Sequence, residues 1–177
     1  MTTPDEQVLE RARTYDALAL AEIYDRHAAP IYGYLYRVIG DAAQAEDLTG
    51  EVFLRLLQAL RTGRAPRDNL EGWLYRVAHN LAMDLFRHQK KGPAVPLVEE
   101  LVAQDGQPSE LVEDGQARQQ LRARIRRLTS DQQRVILLRF AEELPLAEVA
   151  RLMGKSEGAI KTLQHRAVSR LRKLLQE

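Results

Sequence analysis

The chain predicts an all-α fold of two small helical domains joined by a flexible acidic linker, on three observations. No stretch of its 177 residues sustains the apolar/polar alternation of a half-buried strand, while Ala, Leu, Arg, Glu and Gln, all good helix formers, dominate. Apolar residues instead recur at three- and four-residue steps through several long segments. Over residues 92–116 that periodicity stops, and three Pro, three Gly and an acidic run give a linker composition. The expected domains are therefore 1–91 and 117–177.

Each element follows from local chemistry. A short helix is expected over 5–12 and a long one over 16–39, with Leu20, Ile23, Tyr24, His27, Ile31, Leu35 and Val38 on one stripe. Pro30 lies inside that stripe and predicts a kink or an open bond, and Gly40 ends the helix. Asp41 caps a third helix, 42–61, with Gln44 three residues later as a capping-box-like pair. Leu48, Val52, Phe53, Leu56 and Leu60 face its core side, leaving Asp47, Gly50, Glu51, Leu54 and Arg55 outside. After a loop at 62–69, a helix over 70–90 turns Leu70, Leu74, Val77, Ala78, Leu81 and Leu85 inward. Trp73 or Tyr75, His79, Asn80, Asp84, Arg87, His88, Lys90 and Lys91 are its candidates for exposure. In the second domain Ser130 and Gln133 form a capping box ahead of the apolar run VILLRF.

The segment LPLAEVARLMGKSEGAIKTLQHRAVSRLRKL, 144–174, reads as a helix, a tight turn and a longer helix. Gly154 supplies the left-handed stop, Lys155 fills the turn and Ser156 caps the longer helix. Ala159, Ile160, Leu163, Ala167, Leu171 and Leu174 bury the second helix, while Lys161, Thr162, Gln164, His165, Arg166 and Arg170 stay opposite. That is the layout of a helix-turn-helix, whose second helix enters the DNA major groove. Helix pairs around a Gly turn also occur in proteins that never touch DNA, and charge favours the DNA reading here. The chain's net charge of +1 conceals 14 Lys/Arg against 6 Asp/Glu over 116–177, and 6 acidic residues with no basic ones over 95–115. A basic helix-turn-helix domain is an electrostatic footprint for phosphate.

The first domain suits other partners. An acidic and apolar outer face on helix 42–61, beside a DNA-binding domain, suggests a protein partner as well as a plain solvated face. Aromatic, amide and basic side chains together on helix 70–90 suit single-stranded nucleic acid: rings stack on bases, cations follow phosphates and amides read base edges. A Trp flanked by Leu is more often a core residue, and Asp84 reads as a structural carboxylate.

The blocks AEDLTGEVFLRLLQAL, GWLYRVAHNLAMDLFRHQKK and the 144–174 segment, in this order and separated by the linker, together resemble a bacterial RNA polymerase sigma factor of the small extracytoplasmic-function group of the sigma-70 family. The resemblance covers about residues 16 to 175. It implies that Asp47, Glu51, Leu54 and Arg55 dock on the clamp helices of the polymerase β′ subunit. It implies that helix 69–91 recognises and helps melt the −10 element, with Trp73, Tyr75 and Asn80 at the non-template strand and Arg87, Lys90 and Lys91 on its backbone. The helix from Ser156 would read the −35 element. Its bets for base edges or nearby phosphates are Lys161, His165, Arg166, Glu157 and Thr162, with Arg151, Lys155 and Arg170 on phosphate. The implied partners are core RNA polymerase (β′ clamp helices and β flap), promoter DNA and an anti-sigma factor. The chain departs from the family pattern at Gly50, where Gln is usual, and at Pro145, where Ser or Thr is common. Gly costs about 1 kcal/mol in a helix interior and removes a polar contact, whereas Pro suits a first helical turn.

Two rival classes make different demands. A stand-alone helix-turn-helix regulator predicts a palindromic operator and binding without polymerase. An enzyme needs a reactive constellation, but the four histidines have no metal-binding spacing and no Gly-rich phosphate loop accompanies them. No catalytic residue, metal or cofactor is expected. The absence of Cys removes disulfides and thiolate sites and fits an intracellular protein. No apolar run approaches the ~20 residues of a membrane span, and the polar start MTTPDEQVLERAR lacks a signal-peptide core. The expected location is cytoplasmic, with no membrane insertion.

Overall fold

A computed structural model describes residues 3–89, 124–125 and 127–177. Its helices are α1 (Pro4–Ala12), α2 (Ala17–Ile39), α3 (Ala42–Arg61), α4 (Leu70–Gln89), α5 (Ser130–Ile136), α6 (Leu146–Met153) and α7 (Glu157–Gln176). A π-helical turn, Leu137–Ala141, extends α5. No strand occurs among the described residues. The expected linker 92–116, the domain start at 117, and Lys90 and Lys91 lie outside them.

The helix ends follow their caps. Thr3 and Glu6 form a reciprocal capping box with Pro4 in the first turn, so α1 starts one residue before the expected position. Gly40 closes α2 at φ +82°, and the Asp41 carboxylate accepts from Gln44 N at 2.9 Å to open α3. The capping box of α5 is Thr129 with Gln132, not Ser130 with Gln133. Both pairs satisfy the same spacing; packing selected the register in which Thr129 is extended and Ser130 is already helical. The apolar run VILLRF leaves the α-helical pattern part of the way along. Val135–Leu138 are all buried, and the chain widens beyond them, with Glu142 N donating to Leu137 O at 3.0 Å.

α2 runs continuously through Pro30, whose exposed position leaves the freed carbonyl within reach of water. α2, α3 and α4 pack together around Ile31, Leu35, Val52, Leu56, Leu74 and Ala78, each at most 2% exposed. Burying each Leu or Ile side chain this fully is worth roughly 1.5–3 kcal/mol. Tyr24, expected on the inner stripe, is instead half exposed, with its ring edge-on to Phe53 at 4.9 Å. In the second half α7 packs on both α5 and α6 through Ile160, Ala167 and neighbours. The halves meet where α6 lies against α4, and one apolar cluster runs from Leu70 and Leu74 to Val149 and Leu152.

Candidate nucleic-acid interface

Helix α3 buries Ala45, Thr49, Val52, Leu56 and Leu60, a stripe that leaves the opposite side in water. Asp47, Leu54 and Arg55 are exposed there, and Glu51 is half-buried. Glu51 and Arg55 form an i,i+4 ion pair at 3.3 Å, so two of the expected docking residues also order each other. Leu57 joins the exposed apolar set; sequence reasoning missed it because it lies beside the core stripe rather than opposite it. Gly50 is exposed, and a Cβ built on it meets no atom within 4 Å. The helix thus has open space where a Gln side chain would stand.

Helix α4 is more deeply enclosed than its sequence suggests. Tyr75, expected as a surface aromatic, is 5% exposed and meets Tyr34 edge to face at 5.3 Å. His79, also expected outside, is fully buried, with its Nδ1 2.9 Å from the Tyr34 hydroxyl. Both expectations of exposure are corrected for one reason: α4 packs on α2, α3 and α6, so a single apolar stripe does not define its buried surface. Burial, followed by the nearby Arg134 guanidinium, pushes His79 down to about 3, and it is therefore neutral. Its Nε2 has no hydrogen-bond partner among the described residues. Burial likewise raises the Tyr75 phenol. What α4 presents outward is Arg76, Asn80, Arg87 and His88, with Trp73 half-buried. Arg87 pairs with Asp84 one turn away, which matches the structural role expected of Asp84.

The second half places the expected helix-turn-helix. Gly154 is left-handed at φ +62°, its N–H and that of Lys155 return to the last turn of α6, and the Ser156 hydroxyl accepts from Ala159 N at 3.1 Å. Pro145 sits at the start of α6 with φ −59° and is accommodated there. Ile160, Ala167 and Leu174 are buried on α7, while Glu157, Lys161, Thr162, His165 and Arg166 are exposed together on the outer face of its first half. Gln164 departs from the expected polar face: it is half-buried and accepts from Arg139 Nε at 3.2 Å. Of the expected phosphate contacts, Lys155 reaches Asp131 at 3.6 Å, and Arg151 is held by Glu148 and by Glu71 of α4. Those carboxylates raise the Arg151 guanidinium further above its usual value, and Arg151 in turn lowers Glu148. Arg127, His165, Arg166, Arg170 and Lys173 line a basic groove of about 600 Å³ beside Thr129 and Gln132. Arg127 was missed as a site residue, although the run RARIRR at 122–127 carried the signal.

Among the described residues no cluster of three or more His, Asp or Glu could hold a metal ion, and no helix is long and apolar enough to cross a membrane. The exposed features are an outward helix face with apolar and charged groups on α3, a partly sheltered aromatic-amide-basic helix, α4, and a basic outer face on α7.

Comparison with known proteins finds two matched regions. Residues 23–92 match the family model for Sigma-70 region 2, and residues 124–173 match that for Sigma-70, region 4. The chain is 39% identical over 171 residues to the ECF RNA polymerase sigma factor BldN of Streptomyces coelicolor, covering 96% of this chain and 65% of that protein. It is 30% identical to the ECF RNA polymerase sigma factor SigW of Bacillus subtilis, covering 96% of this chain and 95% of the relative. The chain therefore spans about two thirds of the length of the first relative and nearly all of the second. Among solved structures, CnrH in complex with the cytosolic domain of CnrY shares the fold, with a TM-score of 0.57 at 20% identity over 97% of both chains.

Proposed function

Because the chain belongs to the sigma-70 family, in its extracytoplasmic-function group, we propose that it is a transcription initiation factor that binds core RNA polymerase and directs it to promoters. It acts in the cytoplasm as a binding factor rather than a catalyst. The observation that carries this reading is the ordered match of both regions, one on each half of the molecule. The first domain, 1–91, docks on the β′ clamp helices through Asp47, Glu51, Leu54 and Arg55, whose exposed apolar and charged mixture suits a protein surface. It then reads and melts the −10 element. Melting requires a surface that compensates unstacking with pocket contacts, the role given to Trp73 and Asn80, with Arg87 and the chain beyond it on phosphates.

The second domain, 117–177, reads the −35 element as duplex and meets the β flap. Lys161, Thr162, His165, Arg166 and Glu157 face outward on the first turns of α7, where a recognition helix touches base edges. Lys155 and Arg151 flank them as backbone contacts, and Ser156 holds the turn. An anti-sigma factor that covers these faces is the form of control the family resemblance implies. The test is reconstitution of the full chain with purified bacterial core polymerase, followed by transcription from a genomic fragment library. Co-elution with new, defined start sites is expected; a folded chain that binds duplex palindromes alone and never co-elutes would overturn the reading in favour of a stand-alone regulator.

A further inference from the structure

We propose that the cleft between α4 and the end of α6 binds a free α-amino acid with an apolar side chain, its carboxylate on Arg134 and Arg76 and its ammonium on Asp68 and the carbonyl end of α6. Such a site is independent of promoter recognition and stands on side chains of this chain alone.

Arg134 carries a buried charge that the protein leaves under-satisfied. It lies on α5 at 8% exposure. Among the described residues its guanidinium has one ion pair, from Nη1 to Asp131 at 3.6 Å, which is beyond hydrogen-bond length. A guanidinium offers five N–H donors in a planar fork, and buried donors are as a rule satisfied. Arg134 lines a cleft of about 190 Å³. Arg76 of α4 lines the same cleft and has no hydrogen bond or ion pair among the described residues. Two open guanidinia around one small space form a receptor for a planar oxyanion, held by paired N–H···O bonds.

The remaining walls select among oxyanions. Asp68, on the loop before α4, stands exposed at the rim and likewise has no partner among the described residues. Leu152, Met153 and Gly154 bring in the end of α6. The N–H groups of Gly154 and Lys155 return to the Ala150 and Arg151 carbonyls, so those of Leu152 and Met153 receive neither. Open carbonyls at a helix C-terminus favour a cation or a strong donor. Two guanidinia thus oppose one carboxylate and a carbonyl end. A ligand with negative charge alone meets Asp68 unfavourably, whereas a zwitterion satisfies both signs. Trp73, half-buried, and Met153 supply an apolar wall for its side chain. The cleft is smaller than the roughly 300 Å³ at which sites for drug-sized ligands begin, which limits the ligand to a molecule of about the size of leucine and excludes a nucleotide.

Trp73 is the only Trp of the chain, so its fluorescence reports on this cleft without a label. Titration of the full chain with L-leucine is expected to give a saturable change, matched by isothermal calorimetry. Leucinamide, which lacks the carboxylate, and isocaproate, which lacks the ammonium, should each bind at least about tenfold more weakly. Arg134→Met, which keeps much of the side-chain bulk, should abolish saturation. Asp68→Asn, on the exposed rim, should weaken leucine about tenfold and leave isocaproate unchanged, a split that loss of structure would not produce. Equal binding of isocaproate or inorganic phosphate would overturn the amino-acid assignment. No saturation by fluorescence or calorimetry at millimolar leucine, or unchanged leucine affinity in Arg134→Met, would overturn the site. None of these readouts involves polymerase or promoter DNA, so failure of the sigma-factor reading would appear separately, in the transcription assay.

Discussion

Helices α4 and α7 are both 20 residues long and both are candidates to read DNA, yet they are built differently. α7 buries three residues fully along one side and leaves the other in water. α4 buries eight, including a histidine and a tyrosine, because four helices, α1, α2, α3 and α6, pack on it. A helix that reads an intact duplex needs only one rigid exposed face. A helix that helps open DNA must hold its few reading groups in place against the cost of unstacking, and enclosure provides that support. The difference teaches that the recognition proposed for α7 is separable from the fold, whereas that proposed for α4 is not.

The largest expected effect breaks the enclosed side. Leu74 is fully buried on α4, and Leu74→Ala should destabilise the protein by about 2–5 kcal/mol, read as a lower denaturant midpoint. Lys161→Ala, on exposed α7, should leave that midpoint within about 0.5 kcal/mol. An equal loss in both variants would refute the contrast.

Acid probes the same enclosure. His79 is held near 3 by burial and Arg134, and burial also lowers His27, so the unfolded chain binds protons near pH 6.5 that the native state does not. Stability is therefore full above pH 6.5 and falls toward pH 3, by about 1.4 kcal/mol per pH unit for His79, with His27 adding a slope of the same sign. Chemical denaturation across that range should reveal the slope, and His79→Gln, which keeps a partner for the Tyr34 hydroxyl, should flatten it.

On the exposed side the effects should move from stability to binding. Arg166→Ala is expected to relax preference at one promoter position by about 1–3 kcal/mol, if competition among single-base variants of the duplex is measured. Lys155→Ala should instead weaken all sequences alike and reduce the salt slope by about 1. The next effect is local: Ser156→Ala removes the α7 cap and should cost about 1 kcal/mol in thermal stability. The smallest is at Gly50, where open space should let Gly50→Gln stabilise α3 by about 0.5–1 kcal/mol. A gain in polymerase affinity alongside would mark this position as part of the docking face.

The sequence by itself determined the helix content, the turns at Gly40 and Gly154, the caps at Asp41 and Ser156 and the exposed face of α7. These follow from backbone sterics, short-range hydrogen bonds and the 3.6-residue repeat, all of which act within a few residues. Glu157, Lys161, Thr162, His165 and Arg166 were legible for that reason, as were Asp47, Leu54 and Arg55 on the outer side of α3. Tertiary structure alone decided that Tyr75 and His79 lie inside, that Tyr24 lies outside, and that Thr129 rather than Ser130 caps α5. It also brought Glu71 and Asn69 to Arg151, some 80 residues away in the chain. A helix's own periodicity describes one buried stripe; how many neighbours cover it is set by the packing of distant segments, which no local pattern encodes.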